Sequence, residues 1–214
     1  MTRNIAHIIS EERFSTYQTL TLGTPYSAAK LYDYNVALSE TFYTPLHILE
    51  IALRNRVDTI LTEKHDEYWF ENNHIIMELK QQKAIQETLK KLQYKRNATP
   101  RGKVIAELSF GFWTAMFNYK YGKLWQSSLN KVARTKKGKG VKQTVYSKRI
   151  TQARTLRNRI AHYEPIIPLH IKHQYDNIMT LIEWISPDAM EWLEQQSRFY
   201  HIYDAHIDDI VRLS

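Results

Sequence analysis

The sequence has no cysteine among its 214 residues, which excludes disulfides, thiolate metal ligands and cysteine nucleophiles. Glycine and proline are scarce, with 6 of each, and this scarcity favours long helices over a turn-rich all-β fold. No apolar run approaches the ~20 residues that cross a membrane, and the start, MTRNIAHIISEERF, lacks the apolar core of a secretory signal. These absences predict a soluble, cytoplasmic protein with no membrane partner.

Acidic residues are missing from one long segment of the chain. Between Glu107 and Glu164 there is no Asp or Glu, yet the same window holds 13 Lys or Arg residues. The formal net charge of +8 therefore comes from this window, while the rest of the chain is weakly acidic. Segregated positive charge predicts a polyanionic partner, most commonly nucleic acid, although a solvated basic surface would have the same composition.

Apolar residues recur at helical spacing along most of the chain, and no segment alternates as a strand would. The pattern predicts an all-α bundle in one domain, 1–214, with a core at about 25–185 and a helical extension at about 186–214. The predicted helices are 26–64 with a kink near Pro45, 74–95, 104–117, one that Ser147 caps, 170–185 and 188–203. Gly111, between two phenylalanines, is predicted to allow close helix packing. Segment 134–142, with two glycines and five basic residues, is predicted to be a flexible loop.

The tetrad LRNR occurs twice, at 53–56 and at 156–159, and only the second copy is followed by a histidine, His162. Near the first copy, Glu50 falls within the apolar stripe of its helix, and Arg54 follows four residues later. An ion pair between them would offset the cost of a carboxylate on a buried face. Alternatively, Glu50 and Arg54 line a cleft behind the reactive residues of the second copy.

In the second copy, Arg157 falls inside the apolar stripe and therefore needs an acidic partner, a cleft or a subunit interface. Asn158 and His162 are four residues apart, so they share a helix face beside it. A cation, an amide and an imidazole within about one and a half turns can bind a phosphate and transfer a proton near neutral pH. The match is short, however, and a histidine at a helix end is equally compatible with a structural role.

Three stretches of the chain resemble the Abi-like branch of the HEPN superfamily, the bacterial abortive-infection proteins of phage defence. In chain order they are 32-YDYNVALSETFYTPLHILEIALRNRVD-58, 104-VIAELSFGFW-113 and 156-LRNRIAHYEPI-166, and RNRIAH matches the Arg-x(4–6)-His signature of the superfamily. The resemblance spans most of the chain between about 25 and 185. It implies an all-helical HEPN fold, usually dimeric, and metal-independent endoribonuclease activity that needs no cofactor.

Carried over residue by residue, the resemblance implies that His162 is the catalytic histidine, Arg157 the motif arginine and Asn158 the polar residue that supports them. Glu50 and Arg54 fall in the first matching block and would be supporting or cleft residues. One histidine cannot easily act as base and acid at once, and a two-fold dimer would supply a second His162. A toxic nuclease should also need a restraint, so we expect a protein or small-RNA antitoxin.

The RNA itself is expected to lie against the basic window. The residues predicted to contact its backbone are Arg134, Lys136, Lys137, Lys139, Lys142 and Arg154. The aromatic residues that can stack on bases, although core packing is favoured for them, are Tyr68, Trp69, Tyr94, Trp113, Tyr119, Tyr121 and Trp125.

Three other functions compete with the nuclease. The first is a metal site at His162, His170 and His173, which is disfavoured because no carboxylate stands at a ligand spacing and cysteine is absent. The second is an inactive HEPN protein that binds RNA or a nucleotide without cutting it, and the third is a helical interaction protein that is toxic through a protein partner. No metal or cofactor is predicted.

Overall fold

The computed structural model describes residues 3–72 and 74–205, so part of the predicted domain 1–214 and the end of its extension lie outside the described residues. Within those ranges the chain forms thirteen α-helices and no strand. The helices are α1 Arg3–Ile9, α2 Glu11–Leu20, α3 Ala28–Thr41, α4 Tyr43–Lys64, α5 Leu79–Lys91, α6 Arg101–Glu107, α7 Phe110–Ala115, α8 Gly122–Gln126, α9 Leu129–Val132, α10 Gln143–Ala161, α11 Ile171–Ile185, α12 Pro187–Gln196 and α13 Phe199–Asp204. The predicted all-α class is confirmed. None of the described helices has the length and apolarity to cross a membrane.

The predicted long helix at 26–64 is in fact two helices, α3 and α4, which meet at Phe42. Pro45 lies in the first turn of α4, where backbone N–H groups have no intrahelical acceptor and proline is tolerated. The kink predicted at Pro45 is therefore wrong, because the chain breaks before the proline instead of bending at it.

The segment predicted as one helix at 104–117 is likewise divided, into α6 and α7. The Oγ of Ser109 accepts a hydrogen bond from the backbone N–H of Phe112 (3.3 Å) and starts α7. A Cβ placed on Gly111 would meet only the Oγ of Ser109, at 3.6 Å. The prediction that Gly111 allows close packing is therefore wrong, because no neighbouring helix approaches it.

Three further boundaries differ from the predicted ones. Helix α5 covers only the middle of the predicted 74–95 segment, and Ser147 lies inside α10, whose N-cap is Lys142. The predicted helix at 188–203 is divided into α12 and α13. Ser186 caps α12 by accepting from the backbone N–H of Ala189 (3.3 Å).

Helix α11 lies in the middle of the bundle and packs against α4, α10 and α12. It contributes Ile178 and Ile182, both fully buried, to the hydrophobic core. The C-terminal helices belong to the same core, because the Phe199 ring of α13 stacks on Tyr175 with the ring centroids 3.9 Å apart and meets Phe42 edge-on. The core thus continues beyond residue 185.

Most of the aromatic residues considered for base stacking are core residues instead. Trp69, Trp113, Tyr121 and Trp125 are buried. Tyr68 and Tyr94 are half-buried, and among the seven only Tyr119 is exposed. Core packing, the favoured alternative, therefore holds for four of the seven.

Buried Asn35 on α3 anchors the chain that follows α10. Its Oδ1 accepts a hydrogen bond from the backbone N–H of Ile166, which is itself fully buried (N···O 2.8 Å). This contact fixes the start of the connection from α10 to α11 against the α3–α4 pair.

We expect Asn35→Ala to lower the free energy of unfolding by about 1–3 kcal/mol, because it leaves a buried N–H without its acceptor. For a chain of this size the melting temperature should fall by about 2–4 °C per kcal/mol. Thermal melts followed by circular dichroism measure the change. Asn97→Ala, in an exposed turn, is the matched control, and equal melting temperatures for the two variants would contradict the assignment.

Candidate functional site

The second LRNR lies in the last turns of α10, and His162 is the residue that caps the helix. The backbone N–H of Glu164 donates to the carbonyl of Arg159 (2.9 Å), and that of Tyr163 donates to the carbonyl of Ile160 (3.0 Å). This is the Schellman pattern, whose turning residue adopts a left-handed conformation and is usually glycine. Here that residue is Tyr163, with φ 57°, at a cost of about 1 kcal/mol. The imidazole is thus carried by a sharply turned helix end.

Arg13 on α2 holds this helix end in place. Its Nη1 donates to the carbonyl oxygens of His162 (3.1 Å) and Tyr163 (3.3 Å), and its guanidinium lies 5.9 Å from the centre of the Tyr163 ring. A cation beside the last carbonyls of a helix is also favoured by the helix dipole. Sequence reasoning missed Arg13 because the contact joins residues 149 positions apart and no local pattern marks it.

The ion pair at the centre of the site joins the two LRNR regions. The Nη2 of Arg157 lies 3.8 Å from the Oε2 of Glu50 on α4, with the side chains 42% and 28% exposed, respectively. The predicted pair between Glu50 and Arg54 is therefore wrong, since the Nε of Arg54 donates to the Oδ1 of Asn55 (3.4 Å). Glu50 is the acidic partner that Arg157 was predicted to need. A half-exposed pair of this kind contributes at most ~1 kcal/mol, so it orients the guanidinium more than it stabilises the fold.

The remaining motif side chains point outward. Asn158 and His162 are both exposed, and Arg154, half-buried, stands one turn before Asn158. These three residues recur every four positions and form one stripe along α10 that leads to its end. The structure thus brings Arg154, Asn158 and His162 onto one face, while Arg157 lies on the side of α10 that meets Glu50 of α4.

An open groove of about 680 Å³ runs along this stripe, between α10 on one side and α5 and α7 on the other. Its lining includes Arg154, Asn158, Gly111, Ala115 and Lys80. His162 lies beyond the groove, at the end of the helix that forms its wall.

The basic segment 134–142 is not an open loop but a tight turn. Arg134 and Gly140 form an antiparallel bridge, and the backbone N–H of Thr135 donates to the carbonyl of Lys139 (2.9 Å). Gly138, with φ 72°, takes the left-handed position that closes the turn. The predicted flexible loop is therefore wrong in form, because its ends are held together by backbone hydrogen bonds. The predicted RNA contacts Arg134, Lys136, Lys137, Lys139 and Lys142 are all exposed.

The basic turn and His162 lie at opposite ends of α10. Lys142 is the N-cap and His162 the C-cap of this 19-residue helix, so about 30 Å of helix separates them. The structure does not bring the predicted RNA contacts of the turn to the reactive residues. Of the predicted contacts, Arg154 alone lies near the motif.

Several cations of the basic window are paired with carboxylates from outside it. The pairs are Lys120–Glu78, Lys131–Glu63, Arg157–Glu50 and Arg159–Glu164. The free positive charge is consequently smaller than a count along the sequence indicates, and the exposed lysines of the turn carry much of it.

A larger cleft, of about 860 Å³, lies beside the basic turn and is lined by Arg134, Lys136 and Trp184 together with Glu183 and Glu191. It stands at the far end of α10 from His162. We therefore place the candidate site at the C-terminal end of α10, with the smaller groove, lined by Arg154 and Asn158, leading to it. Within the described part of the chain, no group of three or more His, Asp or Glu side chains could hold a metal ion.

No protein-family model matches the chain, and neither a curated protein sequence nor a solved structure matches it. The likeness to the Abi-like branch of the HEPN superfamily therefore remains a prediction from the three sequence stretches.

Arg13→Ala should loosen the end of α10, because the carbonyls of His162 and Tyr163 lose a charged donor. Exposed hydrogen bonds of this kind contribute about 1 kcal/mol, so we expect the amides of Tyr163 and Glu164 to exchange with solvent about fivefold faster. Hydrogen exchange followed by NMR measures this. The control is Arg198→Ala, at an exposed arginine before α13, which should leave both exchange rates unchanged. Wild-type exchange rates in Arg13→Ala would show that Arg13 does not form these hydrogen bonds in solution.

Proposed function

We propose that the protein is a metal-independent endoribonuclease of the HEPN type, acting in a bacterial abortive-infection or toxin–antitoxin system of phage defence. The observation that supports the proposal is that the last turns of α10 carry both an imidazole and a guanidinium. An exposed imidazole, His162, follows a half-exposed guanidinium, Arg157, that is oriented by Glu50. The system in which it acts is suggested by the three stretches that resemble Abi-like proteins.

The reaction uses only groups that RNA and the chain supply. The 2′-hydroxyl of one nucleotide attacks the adjacent phosphorus, the bond from phosphorus to the 5′-oxygen breaks, and the products end in a 2′,3′-cyclic phosphate and a 5′-hydroxyl. His162 removes the proton of the 2′-hydroxyl or donates one to the leaving 5′-oxygen. Arg157 stabilises the charge that builds up on the phosphate oxygens, and Asn158 donates a hydrogen bond beside it.

Supporting roles fall to the residues of the first LRNR region. Glu50 holds the Arg157 guanidinium at the edge of α10. Arg54, one turn further along α4, is a half-buried cation on the same helix and adds positive potential near the phosphate.

A homodimer would complete the site. One histidine serves one proton transfer at a time, and isologous contact between two copies of the exposed end of α10 would supply the second. The remaining partners we propose are RNA as substrate and a protein or small-RNA antitoxin as restraint, all in the cytoplasm.

A second candidate function, RNA binding without cleavage, is favoured by one observation. The exposed lysines of the basic turn lie about 30 Å from His162 and can hold a polyanion independently of it.

The decisive experiment incubates the purified protein with labelled RNA in EDTA. We expect cleavage without added metal, with 2′,3′-cyclic phosphate ends, and a loss of about 100-fold or more in His162→Ala and Arg157→Ala. His173→Ala and Arg198→Ala, both exposed and outside the site, are the matched controls. Undiminished cleavage by His162→Ala would refute the assignment, whereas binding without cleavage, lost when Lys136, Lys137 and Lys139 are changed to Gln, would establish the second function.

The dimer is tested by mixing the wild type with an excess of His162→Ala after subunit exchange. If each site needs both histidines, a ninefold excess leaves only about 1% of the dimers fully wild type, so activity per wild-type chain falls about tenfold. Activity proportional to the wild-type fraction, or a monomer by light scattering at micromolar concentration, would contradict the composite site.

A further inference from the structure

The groove between α5, α7 and α10 points at the reactive end of α10. Its wall carries Arg154 and Asn158, and His162 continues the same stripe. With a rise of 1.5 Å per residue, Arg154 stands only about 12 Å from His162 along the helix axis. An extended ligand such as a nucleic-acid strand that lies in this groove therefore reaches the imidazole directly. A strand that is bound only at the basic turn does not.

The groove has the chemistry of a nucleotide site. Its lining includes Gly111 and Ala115, whose small side chains leave room for a flat ring, together with Lys80, Arg154 and Asn158. Two carboxylates, Glu78 and Glu164, also line it, and each is paired with a cation, Lys120 and Arg159 respectively. The Nη1 of Arg154 makes a long hydrogen bond, 3.4 Å, to the Oγ1 of Thr114, so the guanidinium has donors left for a phosphate. Its volume of about 680 Å³ lies in the range of small-ligand pockets.

Gly111 keeps this groove open. A Cβ at that position would meet only the Oγ of Ser109, and the glycine itself lines the groove. Since the Cβ position has space and the residue lines the groove, we expect a larger side chain at 111 to extend into it. Close helix packing does not explain why a glycine stands between Phe110 and Phe112. The space that this glycine leaves in the groove does.

We propose that this groove binds single-stranded RNA, one or two nucleotides beside the bond that is cut, with a base on Gly111 and Ala115 and a phosphate on Arg154. The proposal rests on the function proposed above and adds the path of its substrate. Side chains can read unstacked nucleotides in this way, because the faces and edges of their bases are open to contact. The basic turn then acts as a distant electrostatic contact for longer RNA.

The test measures binding rather than cleavage, so that it stands apart from the nuclease assay. An 8-nucleotide RNA with methylated 2′-oxygens cannot be cut, and its affinity is measured by fluorescence anisotropy. Because one base contact contributes about 1–3 kcal/mol, Gly111→Leu should weaken binding about tenfold or more. Arg154→Gln should weaken it to a smaller extent, and Gly111→Ala should bind like the wild type.

Gly102→Leu is the matched control, because Gly102 also lies in a helix with open space around its Cβ position but outside the groove. Its affinity should equal that of the wild type. Unchanged affinity in folded Gly111→Leu, or no binding of the 8-nucleotide RNA by the wild type, would overturn the proposal. So would a wild-type dimer that becomes a monomer in Gly111→Leu, since a second copy would then occupy the groove.

A second measurement does not depend on filling the groove. The chain has no cysteine, so Thr155→Cys, at the groove, carries a photo-crosslinker at a unique position. We expect it to crosslink the 8-nucleotide RNA, and Ser15→Cys, exposed on α2, to give no product. Equal crosslinking at both positions would overturn the proposal. Binding at the groove without cleavage of unmodified RNA would refute the nuclease while leaving the groove assignment intact.

Discussion

The arrangement of the whole site depends on which residues of α10 face the core. Ile150, Ala153 and Leu156 are fully buried against the core, and their burial fixes which residues of the helix face outward. Once these three are inward, Asn158 and His162 must be exposed, and Arg157 must lie at the boundary where Glu50 can meet it. The chemistry of the helix end is thus set by the packing of apolar side chains one to three turns away.

The end of α10 is defined from two sides. On one side Asn35 binds the chain at Ile166, and on the other Arg13 binds the carbonyls of His162 and Tyr163. Both contacts come from helices that precede α4. The N-terminal helices α2 and α3 therefore hold the second LRNR motif, which comes more than 100 residues later in the chain. The helices α2 and α3 therefore belong to the site as much as to the scaffold.

The sequence was sufficient to predict the all-helical class, because that class follows from the spacing of apolar residues. The same spacing predicted that Arg157 lies inside the apolar stripe of α10, whereas its side chain lies at the edge of the stripe and is 42% exposed. Leu49, Leu53 and Val57, which follow one another at helical spacing on α4, are fully buried. Helix boundaries were less predictable. At Phe42 and Ser109 one helix ends and another begins, although the apolar pattern of the sequence continues through both positions. A cap or a break changes the direction of the chain without changing that pattern.

Pairings between distant segments could not be predicted at all. Glu50 has a cation four residues away, and local spacing favoured Arg54, but the fold brings Arg157 closer. The same holds for the groove, whose walls come from three helices and whose opening at Gly111 is visible only when its neighbours are known. The count of charges along the chain also overestimated the free positive charge of the basic window. Some of its cations are paired with acidic residues from elsewhere in the chain, such as Glu63 and Glu78.

The hydrogen bonds from Arg13 hold the end of α10 without contacting the side chain of His162. Both hydrogen bonds end on main-chain oxygens, not on the imidazole or the phenol. The side chain at position 162 can therefore be replaced while these hydrogen bonds stay in place, and they can be removed while the imidazole stays. The geometry of the helix end and the proton transfer that we propose for His162 therefore depend on different atoms, and the chain can vary one without the other.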